Sequence, residues 1–493
     1  MVPVLLILIP LLTGLVSFFF ADERKVRTWV LFSSLLTLIV SILGLTVLKE
    51  EKYLQHQCEW LQTLGSSFSV KLDGMSQLLC LLNAIAYPVV MLATWKSTYK
   101  KAQNFFALML LAQAGMMGVF LAMDALLFYF FWELALIPMY FLCSQWGGEK
   151  RIPVTFKFFI YTFIGSLLML VGILYVWSKS PTHSFDITSF YTVVATPKEQ
   201  LFLFWLFFIA FAIKMPIFPL HTWQPATYEQ APTATTMILS GVMVKMGVLG
   251  LLRWLLPVVP YAAFKWGDTI SLLAIIGMIY ASLIAIRQDN FKKLVAYSSI
   301  AHIGLMCAAV FSETIIGLQG VMIQMFNHGI NIIGLWVIVE VLERQFGARK
   351  ISELGGIAQK APVMTLLLVI VALANIALPL TNAFAGEFLM FTGLFNSFHS
   401  KYAVFFTVFA GISIILAAVY TLNMIRNVFY GPANELTEKV VDLGITERIA
   451  LGIIVVLIFF FGFYPQGLLD ETKDISAFIL SKAQVLFFEM RTH

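Results

Sequence analysis

Charge is what this sequence has least of. Asp, Glu, Lys and Arg make up 12% of its 493 residues against 60% hydrophobic, and the mean hydropathy is +0.88. So few charges cannot solvate the surface of a globular domain, which excludes a soluble enzyme or a nucleic-acid-binding module. Cysteine is also scarce. Cys58, Cys80, Cys143 and Cys307 form no CxxC pair and no Cys/His ligand spacing, so they read as small buried apolar residues. No GxGxxG, Walker-type or CxxCH pattern stands where a fold could use it, which leaves flavin, haem and iron–sulfur sites unsupported within the chain. The period-2 alternation of a membrane barrel is missing. The apolar run at 2–20 lacks a basic leader and a small-residue cleavage site, and reads as a first spanning helix, not a removable signal.

What is present is a series of apolar runs of about twenty residues, the length a helix needs to cross a hydrocarbon core of about 30 Å. They fall near 2–20, 27–48, 76–95, 104–123, 125–143, 157–177, 200–220, 233–257, 269–286, 294–312, 314–342, 361–398, 402–430 and 447–464. The expected fold class is therefore an all-α polytopic membrane protein of about 14 transmembrane helices. Two runs are interrupted, one after Lys214 by Pro216 and Pro219, the other by Pro379 in "LPLTNA", and both are expected to be broken helices. The longest extramembrane stretches are 49–75, 178–199 and 431–446.

Basic residues mark orientation. Arg24, Lys25, Arg27, Lys96, Lys100, Lys101, Lys150, Arg151, Arg287, Lys292, Lys293, Arg344, Arg349, Lys350 and Lys360 fall in alternate short loops, and fewer fall in the other set. The positive-inside rule assigns that first set to the cytoplasm, and an even helix count then leaves both termini outside. The scattered basic charge, +5 net, is a topology signal and not a nucleic-acid surface.

Ionisable residues deep in such runs cost at least about 2.5 to 3.5 kcal/mol each on insertion scales, so each needs a partner, water or a function. Glu133 lies roughly 14 Å into its helix beyond Asp124, and Lys245 roughly 18 Å beyond Thr233. His328 is roughly 21 Å beyond Thr314, while His302 and Glu387 are also inside apolar runs. With Lys214 beside the first break, six helices contribute an ionisable group. Proline opens a helix and frees backbone carbonyls, so Lys214 is expected in a hydrated pocket with Glu133 as its counter-charge. Bland readings stay open: a structural ion pair for Glu133 and Lys214, core histidines bonded across helices for His302 and His328, and a half-helix cap for Glu387. His221, near the cytoplasmic mouth, would feed protons inward or make an interfacial hydrogen bond. His56, His183, His399 and His493 fall in loops or at the end without ligand spacing.

Several segments carry a resemblance: "FWELALIPMYFL", "FFIAFAIKMPIFPLHTW", "VKMGVLGLLR", "DNFKKLVAYSSIAHIGL", "QMFNHGINIIGLW", "FAGEF" and "GFYPQGLLD". In order and spacing the chain resembles the antiporter-like M-type subunits of proton-pumping NADH:quinone oxidoreductase, respiratory complex I, over nearly its whole length. The resemblance implies two inverted five-helix repeats, at 104–257 and 258–430, after N-terminal helices at 1–103 and before a C-terminal loop, last helix and tail at 431–493. It implies a proton path through Glu133, Lys214 and Lys245, then His302, His328 and Glu387, in a bacterial inner membrane subunit without a redox centre of its own. FMN, iron–sulfur clusters and quinone would belong to partner subunits, and the membrane neighbours would be L-type and N-type antiporter-like subunits. The acid at Glu387, where L- and N-type subunits carry lysine, favours the M type. A multisubunit sodium/proton antiporter, a hydrogenase-type membrane complex and a purely structural bundle are the alternatives. Two stretches depart from the family pattern. "WQPATYEQAPT" has Ala226, Tyr228 and nearby Glu229 where the family has Pro-Asp-Ala-His, and "LPLTNAFAGEF" lacks the glycines common after the second break.

Overall fold

A computed structural model describes residues 1–347, 349–398 and 400–491, with side chains up to Lys482. His399 and His493 lie outside the described residues. The chain runs through helices α1 (Val2–Ser17), α2 (Glu23–Thr46), α3 (Gly74–Ala93), α4 (Ala102–Leu121), α5 (Ala125–Trp146) and α6 (Arg151–Lys179). There follow α7 (Pro197–Lys214), the short α8 (Gln224–Gln230), α9 (Thr233–Leu255), α10 (Pro260–Arg287), α11 (Phe291–Val310) and α12 (Ile315–Phe346). The last five are α13 (Pro362–Asn375), α14 (Asn382–Phe395), α15 (Ala403–Val428), α16 (Ile445–Phe463) and α17 (Gln466–Arg491).

Among the described residues, eleven helices are long and apolar enough to cross a membrane. The shortfall against the sequence count has a physical cause: α1 is a short apolar helix, and the two proline-broken runs are divided into α7 with α8 and α13 with α14. Helix starts follow capping chemistry. Asp22, Asp73, Asp124, Asn290 and Thr314 each accept backbone N–H bonds at the first turn of α2, α3, α5, α11 and α12, and Thr196 with Glu199 forms a capping box at α7.

Burial sorts the helices. The apolar windows of α9 and α12 are wholly enclosed by other helices, whereas those of α15 and α16 are 28% buried and present Val408, Ile415, Val456 and Phe460 outward. The two enclosed helices carry Lys245 and His328.

Two elements were not legible as such. The 49–75 stretch, expected as a loop, contains an antiparallel hairpin of β1 (Gln55–Leu61) and β2 (Ser66–Lys71), turned at Gly65 with φ +73. His56, expected in a loop, and Cys58, expected buried, both lie on β1, and Cys58 is exposed. Beyond α16 the tail forms α17, which packs on α3, α10 and α12 at the hairpin-bearing face.

Candidate functional site: a polar axis through the helix interior

At the first break, α7 ends on Lys214 and the chain turns through Met215–Trp223 before α8. The indole Nε1 of Trp223 donates to the Ile213 carbonyl at 2.9 Å, so a side chain ten residues on satisfies a carbonyl that the broken helix no longer pairs. Lys214 is buried, with Nζ 5.3 Å from the centre of the Trp132 ring. Among the described residues its Nζ has no hydrogen-bond partner, and the same holds for the buried Oε1 of Glu133. Glu133 acts on Lys214 electrostatically, in keeping with a counter-charge, without a direct ion-pair contact between the two side chains. Gly247 lets α9 approach this turn: a Cβ there would stand 2.6 Å from the Phe211 carbonyl and 2.9 Å from Met215.

Lys245 sits between two π-helical stretches, Leu239–Met243 and Leu251–Leu255. The wider turns release backbone carbonyls, and Lys245 Nζ donates to one of them, Ser240 O, at 2.8 Å. It also donates to His328 Nδ1 at 2.9 Å. The ring centres of His328 and His302 are 5.6 Å apart. His302 Nδ1 in turn donates to Glu387 Oε1 at 3.1 Å, and its Nε2 accepts from Asn375 Nδ2 at 3.4 Å. With both imidazoles neutral, these partners assign the proton of His302 to Nδ1 and that of His328, whose Nδ1 accepts from the lysine, to Nε2.

The second break, between α13 and α14, is held by carboxamides. Asn331 donates to the Ala374 carbonyl at 3.2 Å and Asn327 to the Asn382 carbonyl at 2.8 Å, both from α12. Asn375 donates to Ser298 Oγ, which also accepts from Tyr420. Gln324 reaches Glu387 at 3.5 Å. On either side of Pro379, Ala377 and Leu380 adopt left-handed backbone, with φ 55 and 74.

Of the six sequence candidates, Lys245, His328, His302 and Glu387 form one line across α9, α12, α11 and α14, in that order. The resemblance orders His302 before His328, whereas the contacts place His328 next to Lys245. Glu133 and Lys214 form a separate pair beside α9. His221 is buried rather than at an open mouth, and its ring lies 5.7 Å from that of Phe218 and 5.4 Å from that of Tyr280. Tyr228 is also fully buried, with its ring edge-on to Trp223 and Trp336. Glu229 pairs with Lys293 at 3.1 Å and accepts from Asn290, tying α8 to α11. The carboxamides Gln324, Asn327 and Asn331 and the indole of Trp223 went unnoticed in the sequence. The signal was there in α12, where amides at 324, 327 and 331 share the helical face of His328.

One further acid was missed. Glu313, in the loop between α11 and α12 at the hairpin face, has its carboxyl pushed up to about 7 by burial. The neighbouring Thr314 and Gly317 lie against Gly393, so Glu313 stands near the α14 end that lies roughly 9 Å beyond Glu387.

A helical membrane protein with two broken helices and a buried line of lysine, histidine and carboxylate is of the ion-translocating class. The family profile described as "NADH:quinone oxidoreductase/Mrp antiporter, TM" matches residues 122–423. NADH-quinone oxidoreductase subunit M of Escherichia coli is 34% identical over 494 residues, covering 95% of this chain and 96% of that protein. The subunit M of Rickettsia typhi is 34% identical over 480 residues, covering 94% and 95%. Among solved structures, a chain of respiratory complex I from Thermus thermophilus with bound NADH matches with a TM-score of 0.88 at 26% identity, covering 97% of this chain and 100% of that one. This chain belongs to the NADH:quinone oxidoreductase/Mrp antiporter membrane-subunit family.

Proposed function

We propose that this chain is the M-type proton-translocating subunit of the membrane arm of NADH:quinone oxidoreductase, a multi-pass protein of a bacterial inner membrane. The relatives named subunit M support the reading, and one observation carries its mechanism: the contact line from Lys245 through His328 and His302 to Glu387. Each member can hold or pass a proton, and the two imidazole ring centres lie only 5.6 Å apart. Lys214 and Glu133 form the input pair. Because Glu133 is coupled to Lys214 through space and not through a closed ion pair, a small displacement of either changes the field at the lysine.

In this reading the chain has 14 spans, two of them broken, with inverted repeats at 104–257 and 258–430 flanked by 1–103 and 431–493. The hairpin face and both termini lie outside. Electrons travel in partner subunits carrying FMN, iron–sulfur clusters and quinone, and the membrane neighbours are L-type and N-type subunits. Proton flow from the cytoplasm through Lys214, Lys245, His328, His302 and Glu387 is driven electrostatically by quinone reduction elsewhere. In sealed vesicles holding the Glu387→Gln complex, NADH-driven acidification should fall at least several-fold while NADH:quinone oxidation in detergent persists. Full acidification would refute the reading. Sodium movement replacing proton movement, in membranes lacking NADH dehydrogenase, would favour the antiporter alternative instead.

A further inference from the structure

A second column of polar groups, unused by the axis above, runs between α3, α4 and α9. At the hairpin face Arg253, 2% exposed, is tied down on all sides. Its Nη1 donates to the Phe120 carbonyl at 2.7 Å, and its Nη2 donates to Ser76 Oγ at 3.0 Å and pairs with Asp73 at 2.5 Å. Its own carbonyl accepts from Tyr191 at 2.8 Å. Seven residues inward from Ser76 on α3 is Asn83, and seven inward from Phe120 on α4 is Gln113, so each lies two turns away on the same helical face. The register is confirmed by Asn83 Nδ2, which donates to the Gln113 carbonyl at 3.2 Å. Eight residues inward from Arg253 on α9 is Lys245, and α9 packs on α4 along this stretch. Asn83, Gln113 and Lys245 therefore share a depth roughly 10–12 Å from Arg253. Leu82 touches Gly329, the neighbour of His328, at the same level.

Asn83 and Gln113 are fully buried, yet Asn83 Oδ1 and both Gln113 amide atoms have no partner among the described residues. Unpaired amides at this depth are what ordered water satisfies. Cys80, on the same face of α3, lies between them and Arg253 and within electrostatic reach of it. On the other side of Arg253 a cavity of about 700 Å³ is lined by Asp73, Met75 and Tyr191, at the hairpin face. The guanidinium thus stands between an open cavity and a polar spur that ends at the depth of Lys245.

We propose that Arg253 is an electrostatic plug, which keeps protons on the hairpin side from reaching Lys245 through a water-holding spur at Asn83 and Gln113. The proposal rests on the proton-carrying reading of this chain. A guanidinium stays charged at any working pH, and its bonds to Asp73, Ser76 and the Phe120 carbonyl fix it, so a hydronium meets a permanent like charge. Without it a proton could enter at Lys245 and return without passing Glu387.

The test is passive proton leak in vesicles holding the whole complex, with an imposed pH step and no NADH, read by an entrapped pH-sensitive dye. Arg253→Gln should leak at least several-fold faster than the parent while its NADH:quinone oxidation in detergent is retained. Arg253→Lys, which keeps the charge, should stay near the parent, and Gln113→Leu combined with Arg253→Gln should return toward it. An assembled Arg253→Gln complex that leaks no more than the parent would overturn the plug. So would an Arg253→Lys leak equal to that of Arg253→Gln, or a double variant that leaks undiminished. A parent complex that pumps no protons with NADH would fail the underlying reading instead, and that outcome is read separately from leak.

Discussion

Lys245 shows how one side chain can sit fully buried in the bundle without a carboxylate beside it. Its ammonium donates to the Ser240 carbonyl, which a π-turn frees, and to the acceptor nitrogen of His328. Lys245→Ala removes both bonds and leaves His328 Nδ1 unpaired, at a cost of about 1–3 kcal/mol. Coupled proton transport should fall about tenfold or more, while Lys245→Arg keeps charge without supplying a transferable proton and should rescue assembly but not pumping. The check is acidification by sealed vesicles, with complex content read on a native gel. Glu313 gives a pH signature of opposite character. Its folded pKa of about 7 lies above the free carboxylate value of 4.5, so the folded chain favours the protonated acid. The stability this contributes is complete below pH 4.5 and is lost as pH rises through 7, by on the order of 3 kcal/mol. Glu313→Gln should therefore outlast the parent on heating at pH 8 and match it near pH 4.5, as measured by thermal inactivation at the two pH values.

At the scale of elements, the breaks are where prolines and polar partners meet. Pro216, Pro219 and Pro379 were visible in the sequence as candidate breaks, because proline removes a backbone donor, although Pro10, Pro88 and Pro138 lie inside the continuous α1, α3 and α5. What holds each break open was not visible, since the partners come from distant helices: Trp223 for the Ile213 carbonyl, Asn331 and Asn327 for the carbonyls around 374–382. Trp223→Phe keeps most of the packing against Phe158 but orphans the Ile213 carbonyl, which costs about 1–3 kcal/mol. The complex should lose thermal stability together with pumping. The second break makes the reverse prediction. Ala377 and Leu380 occupy left-handed backbone that costs L-residues about 1–2 kcal/mol, so Ala377→Gly should stabilise the complex modestly in a thermal melt.

For the molecule as a whole, depth and helix order were legible and adjacency was not. Counting residues from Asp124, Thr233 and Thr314 set Glu133, Lys245 and His328 well inside their helices, where Lys245 and His328 are buried and Glu133 is half-buried, since rise per residue is fixed by helix geometry. Counting could not say that α9 and α12 would be the enclosed pair, nor that His328 and not His302 would meet the lysine, because neighbours in a bundle are chosen by close packing. Gly241 and Gly329 decide that choice: a Cβ on Gly329 would stand 2.8 Å from the Gly241 carbonyl, so the small residues bring α9 and α12 together one turn from Lys245 and directly beside His328. The hairpin and α17 escaped notice because polar connecting segments carry weaker periodicity than spans do. The central claim is that protons cross by way of the Lys245–His328–His302–Glu387 line, and His328 is its middle link. The most direct test is the ratio of protons moved to NADH oxidised in sealed vesicles containing the His328→Leu complex. The line predicts a ratio clearly below that of the parent, with NADH:quinone oxidation retained in detergent; a ratio equal to the parent's would contradict it.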